Sequence, residues 1–262
     1  MKIRLLSTDF DGTLIDFAAA PQVDRELFEV LAALRSQGVL WAINTGRALR
    51  HILEGLAEHG FPLQPDFILT SERHIFRPSP ALNGGSPGWE DFGPWNAQCD
   101  LAHDALFFQT KAMMAEIRSF IQKETAARFI DDFTGLGFVG SSDEEVNRIL
   151  HFVDSRRIHF PDFAYQRNTL YVRFCHQDYH KGAALGELGR LLEIPREQIF
   201  AAGDHLNDLP MLDGRHARWV ACPGNSAEEV KELVRVVGGH VSQGRAGTGT
   251  VEALKRFFGL AA

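Results

Sequence analysis

The feature that most constrains this chain is where its apolar runs stop. Ile3–Thr8 is a short apolar-rich run that breaks at Asp9-Phe10-Asp11-Gly12-Thr13. Val39–Asn44 breaks at Thr45-Gly46-Arg47, and Gln198–Ala202 leads into Asp204-His205-Leu206-Asn207-Asp208. Short apolar runs bounded by turn residues read as buried strands. Between the first two, Leu27, Val30, Leu31 and Leu34 recur at helical spacing over Asp24–Gln37, and Gly38 ends that helix. Leu49, Ile52, Leu53 and Leu56 mark a second helix closing at Gly60, and Phe67–Thr70 is a third strand. Such alternation predicts an α/β fold, a parallel sheet with helices on both faces.

The alternation is interrupted and then resumes. Asn83 to Gln98 is rich in Gly, Pro, Trp and Asn. A long helix is expected over His103–Thr125, then strands Arg128–Phe133 and Leu136–Gly140 around Thr134-Gly135. A helix over Ser142–Ser155, opened by a Ser/Asp cap, precedes strands Phe163–Gln166 and Thr169–Cys175 around Arg167-Asn168. Helix–strand–strand twice over is an α+β unit with an antiparallel sheet, unlike its flanks. From His180 the first pattern returns, with a helix Lys181–Leu192, strands at Gln198–Ala202, Trp219–Ala221 and His240–Val241, and helices Ser226–Val236 and Gly249–Phe258. Residues 1–82 and 179–262 are therefore expected to form one core, and 83–178 an inserted domain.

Composition narrows the partners. Lys plus Arg is 27 against 34 for Asp plus Glu, a net charge of −7 over 262 residues. That balance argues against nucleic acid or an anionic membrane as partner. The three cysteines, Cys99, Cys175 and Cys222, lack metal-ligand spacing, and their odd number argues against a disulfide framework. With acidic Asp9 and Asp11 arriving before an apolar leader can build, and no stretch long enough to span a bilayer, a cytoplasmic monomer or homodimer is the expectation.

In an open parallel sheet, ligands bind beyond the carboxyl ends of the strands. Asp9, Asp204 and Asp208 are hard oxygen ligands suited to Mg²⁺. Asp9 is also a candidate nucleophile toward phosphorus. Asp11 can protonate a leaving oxygen and later deprotonate water. Gly12 lets backbone approach an anion. Thr45 can bond a phosphoryl oxygen, or cap the helix that follows it. Lys181 can offset charge between carboxylates and phosphate. Phosphoryl transfer asks mainly for such positioning and charge neutralisation.

Asp9-Phe10-Asp11-Gly12-Thr13-Leu14-Ile15 resembles the first motif of the haloacid-dehalogenase-like phosphohydrolases. Asn44-Thr45-Gly46-Arg47 resembles the second, Lys181-Gly182 the third, and Gly203-Asp204-His205-Leu206-Asn207-Asp208 with Met211-Leu212 the fourth, all in family order. The insertion is similar to the α/β cap of the subgroup holding Cof-type, sucrose-phosphate and trehalose-phosphate phosphatases and phosphomannomutases. The resemblance implies a Rossmann-like core and a Mg²⁺-dependent phosphatase acting on a small phosphorylated metabolite, a sugar phosphate. It makes Asp9 nucleophile and metal ligand, and Asp11 the general acid/base with its carbonyl on the metal. Thr45, Gly12, Gly46 and Asn207 would face the phosphate, with Arg47 either there or structural. Lys181 would stabilise nucleophile and phosphate. Asp204 would hold Mg²⁺ directly, and Asp208 through water or Lys181. The cap would close over the site and set specificity.

Two positions depart from the subgroup. Ser71-Glu72-Arg73 stands where Asn-Gly is frequent, and His205 where a small residue is frequent; both are candidates for lining the leaving-group pocket. Arg73 and Arg167 are candidate substrate contacts, and Trp89 and Trp95 either hinge packing or a platform for a sugar ring. A phosphosugar mutase using the same aspartyl-phosphate is the alternative. A non-catalytic phosphometabolite-binding protein would be expected to have a broken first or fourth motif, and both are intact here.

Overall fold

The computed structural model describes residues 3–80, 88–132 and 135–260. Residues 83–87 of the Gly/Pro-rich stretch, Phe133 at the end of an expected strand and Thr134 of the expected turn lie outside them. The chain divides into two compact units, Met1–Asn96 with Lys181–Ala262, and Ala97–His180.

The first unit begins β1 (Leu5–Thr8), α1 (Arg25–Ser36), β2 (Leu40–Asn44), α2 (Leu49–Glu58), β3 (Phe67–Thr70), β4 (His74–Ser79) and β5 (Gly88–Asp91). Helix α3 (Trp95–Gln109) carries the chain into the second unit, followed by α4 (Lys111–Glu124), β6 (Arg128–Asp132), β7 (Gly135–Val139), α5 (Asp143–Arg157), β8 (Phe163–Asn168) and β9 (Tyr171–His176). The first unit resumes with α6 (Lys181–Leu191), β10 (Ile199–Ala202), α7 (Leu209–Leu212), β11 (Trp219–Cys222), α8 (Glu228–Val236), β12 (His240–Val241) and α9 (Ala246–Phe258).

The first unit's sheet has eight strands in the order β12-β11-β10-β1-β2-β3-β4-β5. Strands β12 to β3 are parallel; β4 and β5 are antiparallel additions at the β3 edge. Side chains alternate between faces along a strand. Leu6, Ile43, Phe200 and Ala202 join one core with α1, α2 and α9, while Leu5, Ala42, Ile199 and Ala201 join the other with α6, α7 and α8. A sheet covered on both faces needs such near-continuous apolar strands. The second unit's sheet is antiparallel, in the order β6-β7-β9-β8. Its own core includes Ile117, Phe138, Ile149, Phe163 and Phe174.

Three expectations need correction. Gly88–Asp91, read as irregular, is a strand paired with β4, and Asn96 still belongs to the first unit. The helix expected from His103 starts at Trp95 and is broken at Thr110, whose hydroxyl bonds the Leu106 carbonyl at 2.8 Å. Side-chain bonding to the preceding turn bends helices. Thr45 does not cap α2: the N-cap is Ala48, without a side-chain bond. Ser142 does cap α5, accepting from the Glu145 amide.

Candidate active site

Register gathers the site. Thr8 of β1 lies level with Ile43 of β2 and with Ala202 of β10. Asp9, Asn44-Thr45 and Gly203-Asp204 therefore leave the sheet side by side. Lys181, the first residue of α6, meets them. Its Nζ donates to Asp9 Oδ1 and Asp208 Oδ1, each at 2.6 Å, and the residue is fully buried. Burial opposes the lysine's charge, yet Asp208 and Asp9, with Glu72 beyond them, hold its pKa above the ordinary value. The Asn44 amide donates to the Lys181 carbonyl at 3.0 Å, fixing the helix start.

The acidic side carries an excess of negative charge. Burial first, then Asp208, pushes the Asp204 carboxyl up to about 7. Burial raises Asp9 well above its ordinary value, and Asp208, Asp204 and Asp11 add to the rise against Lys181. Asp9, Asp204 and Asp208 each offer a carboxylate oxygen, all within 4.8 Å of one another. A hard divalent cation suits that set. Asp208 is already engaged: Oδ1 holds Lys181, and Oδ2 accepts the Asp204 and His205 amides at 2.9 Å each. It ties the loop to the lysine.

Gly12 adopts φ +78°, and a Cβ there would lie 2.3 Å from Asp204 Oδ2. Only glycine lets this loop pass so close to that carboxylate. Thr13 donates its hydroxyl to Asp204 Oδ1 at 3.1 Å, and the Gly12 carbonyl accepts from Asn225 Nδ2 at 2.8 Å. Asn225, not singled out by the sequence reading, pins the Asp9–Thr13 loop while its Oδ1 accepts from the Ala246 amide. No local pattern marks that role, because its partners are more than 200 residues away and 21 residues away.

The remaining candidates divide. Arg47 grips Asp11 with both ends of its fork, Nε to Oδ2 at 2.8 Å and Nη2 to Oδ1 at 2.6 Å, with its guanidinium over the Phe10 ring. It orients Asp11 and does not present a free cation to an anion. Thr45 is buried, its hydroxyl accepting from the Arg47 amide at 3.1 Å. Asn207 donates its amide nitrogen to Glu72 Oε1 at 3.1 Å. Gly46 packs against the same Glu72 side chain. His205 donates its amide to Asp208 at the start of a short helical turn. Arg167 is taken up inside the second unit by Asp143, Asn147 and the Thr169 carbonyl, so it is a structural residue of the β8–β9 turn. Trp89 packs on the first unit's core, and Trp95 Nε1 donates to the Arg73 carbonyl at 2.7 Å. Both are packing residues.

A doubly covered, mostly parallel sheet with an acid–lysine–acid cluster at its strand ends, interrupted by an antiparallel unit, defines a Rossmann-like α/β protein with an inserted unit. Residues 109–246 match the haloacid dehalogenase-like hydrolase family, and the chain belongs to that family. The chain is 27% identical over 255 residues to the glucosylglycerol-phosphate synthase of Pseudomonas anguilliseptica, covering 97% of this chain but 30% of that protein's length. In structure it is similar to the sucrose-phosphatase of Synechocystis sp. PCC6803, solved with sucrose and phosphate, with TM-score 0.75, 17% identity, and 98% and 99% of the two chains covered. The subclass IIB sugar phosphatase BT4131 aligns with TM-score 0.63 and 18% identity over 98% of this chain and all of its own. No described helix is long and apolar enough to cross a membrane.

Proposed function

We propose that this chain is a Mg²⁺-dependent phosphatase that hydrolyses a phosphorylated sugar through an aspartyl-phosphate on Asp9. The observation that carries the reading is Lys181, fully buried and 2.6 Å from both Asp9 and Asp208. A buried ammonium at that spacing holds one oxygen of each carboxylate in place and offsets part of their negative charge where a phosphoryl group would arrive. Asp9 attacks phosphorus and the ester P–O bond breaks. Asp11, which accepts from Arg47 through both oxygens as a carboxylate, must first leave that clamp and take up a proton; it then gives that proton to the leaving oxygen. Asp11 then takes a proton from the water that attacks the aspartyl-phosphate, which frees phosphate and restores Asp9. Asp9 and Asp204 would hold Mg²⁺ directly, with Asp208 acting through Lys181 and the loop. Bound there, the ion would offset the negative charge of the phosphoryl oxygens.

A relative named for making glucosylglycerol phosphate, and a neighbour solved with sucrose and phosphate, support a phosphorylated glycoside as substrate. Ala97–His180, entered between the Thr45 and Lys181 segments of the chain, is the unit proposed to set leaving-group specificity. The test is phosphate release from glucosylglycerol phosphate, sucrose 6-phosphate, hexose phosphates and p-nitrophenyl phosphate, with Mg²⁺ or after EDTA. Mg²⁺-dependent release from a sugar ester is the expected result. Activity unchanged by EDTA, or conversion of the sugar phosphate to an isomer without release of phosphate, contradicts the proposal.

A further inference from the structure

The turn between β3 and β4 is built at a conformational cost. Ser71 and Glu72 adopt φ +50° and +67°, the left-handed region that glycine favours and side chains avoid. Two hydrogen bonds hold the turn there. The Ser71 amide donates to the Arg47 carbonyl at 2.9 Å, and the Glu72 amide to the Thr45 carbonyl at 3.1 Å. The turn is thus docked on the loop that carries Thr45. Docking drives the Glu72 side chain inward until it is 4% exposed, with Oε1 3.1 Å from where a Gly46 Cβ would stand.

What Glu72 does there is left open by the protein's own bonds. Oε1 accepts from Asn207 Nδ2 at 3.1 Å, while Oε2 is buried without a hydrogen-bond partner. That bond also sets the Asn207 amide orientation, so its unfilled atom is the carbonyl Oδ1, likewise buried and unpartnered. Two buried acceptors on side chains that are hydrogen-bonded to each other, from different loops of the site, call for donors. A phosphoryl dianion offers only acceptors, and Lys181 gives two of its three protons to Asp9 and Asp208. Hydroxyl groups are donors. A water could fill one of these acceptors, but glycine at position 72 would leave room for water without the strained backbone. Strain of this kind persists where the side chain has a task.

We propose that Glu72, with Asn207, is a specificity-determining pair that accepts hydrogen bonds from hydroxyls of the sugar beside the transferring phosphoryl group. The proposal rests on the phosphatase reading and deepens it. It assigns the substrate class as a phosphate ester with a free hydroxyl close to the ester carbon, in preference to aryl or simple alkyl phosphates.

The test compares kcat/KM for the best sugar phosphate of the panel with kcat/KM for p-nitrophenyl phosphate, in wild type, Glu72→Gly and Glu72→Gln. Glycine relaxes the left-handed turn, so its melting temperature should equal or exceed that of wild type. Glutamine keeps the shape and replaces an acceptor by a donor. The sugar-to-aryl ratio should fall about 10-fold or more in both variants, the size of a lost hydrogen bond to a charged group. An unchanged ratio, or an equal loss on both esters, overturns the proposal and makes Glu72 a support of the phosphoryl site. If wild type turns over neither ester with Mg²⁺ present, the phosphatase reading itself fails. Calorimetric binding of glucose 6-phosphate and phenyl phosphate then decides the Glu72 question: selective weakening of the sugar ester by Glu72→Gly supports it, and equal affinities refute it.

Discussion

Lys181 shows how much one side chain can hold together. Its removal leaves Asp9 and Asp208 buried without their counter-charge, a loss of about 3–5 kcal/mol for broken buried pairs. Lys181→Met should therefore lower the melting temperature and cut kcat about 100–1000-fold; a variant as stable and active as wild type would show that the lysine is incidental. Arg47 makes a sharper prediction, because only a planar fork grips both oxygens of Asp11. Arg47→Lys should lower kcat more than it raises KM, and a pure KM effect would favour the phosphate-facing one of the two roles the sequence left open. Asp204 supplies a readout free of turnover. Mg²⁺ binding to the folded chain should raise its melting temperature, and Asp204→Asn should abolish the rise. That Asp9, Lys181, Asp204 and Asp208 meet was legible, because each lies at or beside a recognisable strand or helix end. The Asp11–Arg47 and Glu72–Asn207 pairings were not, since they depend on which way side chains turn once loops have met.

At the scale of elements, α6 depends on how closely it lies against the chain at Pro210. A Cβ at Gly182 would stand 2.0 Å from the Pro210 carbonyl oxygen. Alanine would gain about 1 kcal/mol of helix propensity, yet backbone must move to admit it, and Lys181 moves with it. Gly182→Ala should lower both stability and kcat; a gain in melting temperature would contradict the close approach. His216 packs on the same helix, its Nδ1 2.4 Å from where a Gly186 Cβ would be. Burial lowers its pKa below the ordinary 6.5. A lowered folded value means that stability is full above 6.5 and is lost as pH falls through the folded value. His216→Gln should flatten the acid side of the melting-temperature profile, and an unchanged slope would assign it to other groups. The strand–helix periodicity revealed most elements. It missed β4 and β5, whose side chains are mostly half-buried or exposed so that no apolar run marks them, and it ran α3 and α4 together because Thr110 is buried like the apolar residues around it.

At the scale of the molecule, the chain carries separate cores, two on the faces of the first unit's sheet and one in Ala97–His180. Ile149→Ala should cost about 2–5 kcal/mol and should raise amide exchange through α4, α5 and β6–β9 first. Equal loss of protection in β1 and β10 would mean that the units unfold as one. The existence of the insertion was legible from the switch between two periodic patterns. Its edge was not: residues 88–96 look irregular and become ordered by pairing with β4 and by Asn96, which brackets Ile75 with hydrogen bonds to both its amide and its carbonyl.

In the proposed reaction phosphorus passes through Asp9. The direct measurement is a rapid acid quench of enzyme turning over a ³²P-labelled sugar phosphate with Mg²⁺, followed by peptide mapping. Label should appear on the peptide containing Asp9, be released by hydroxylamine as an acyl phosphate is, and be absent from Asp9→Asn, which should not turn over. Hydrolysis by Asp9→Asn at the wild-type rate, or label that maps to another residue, would contradict it.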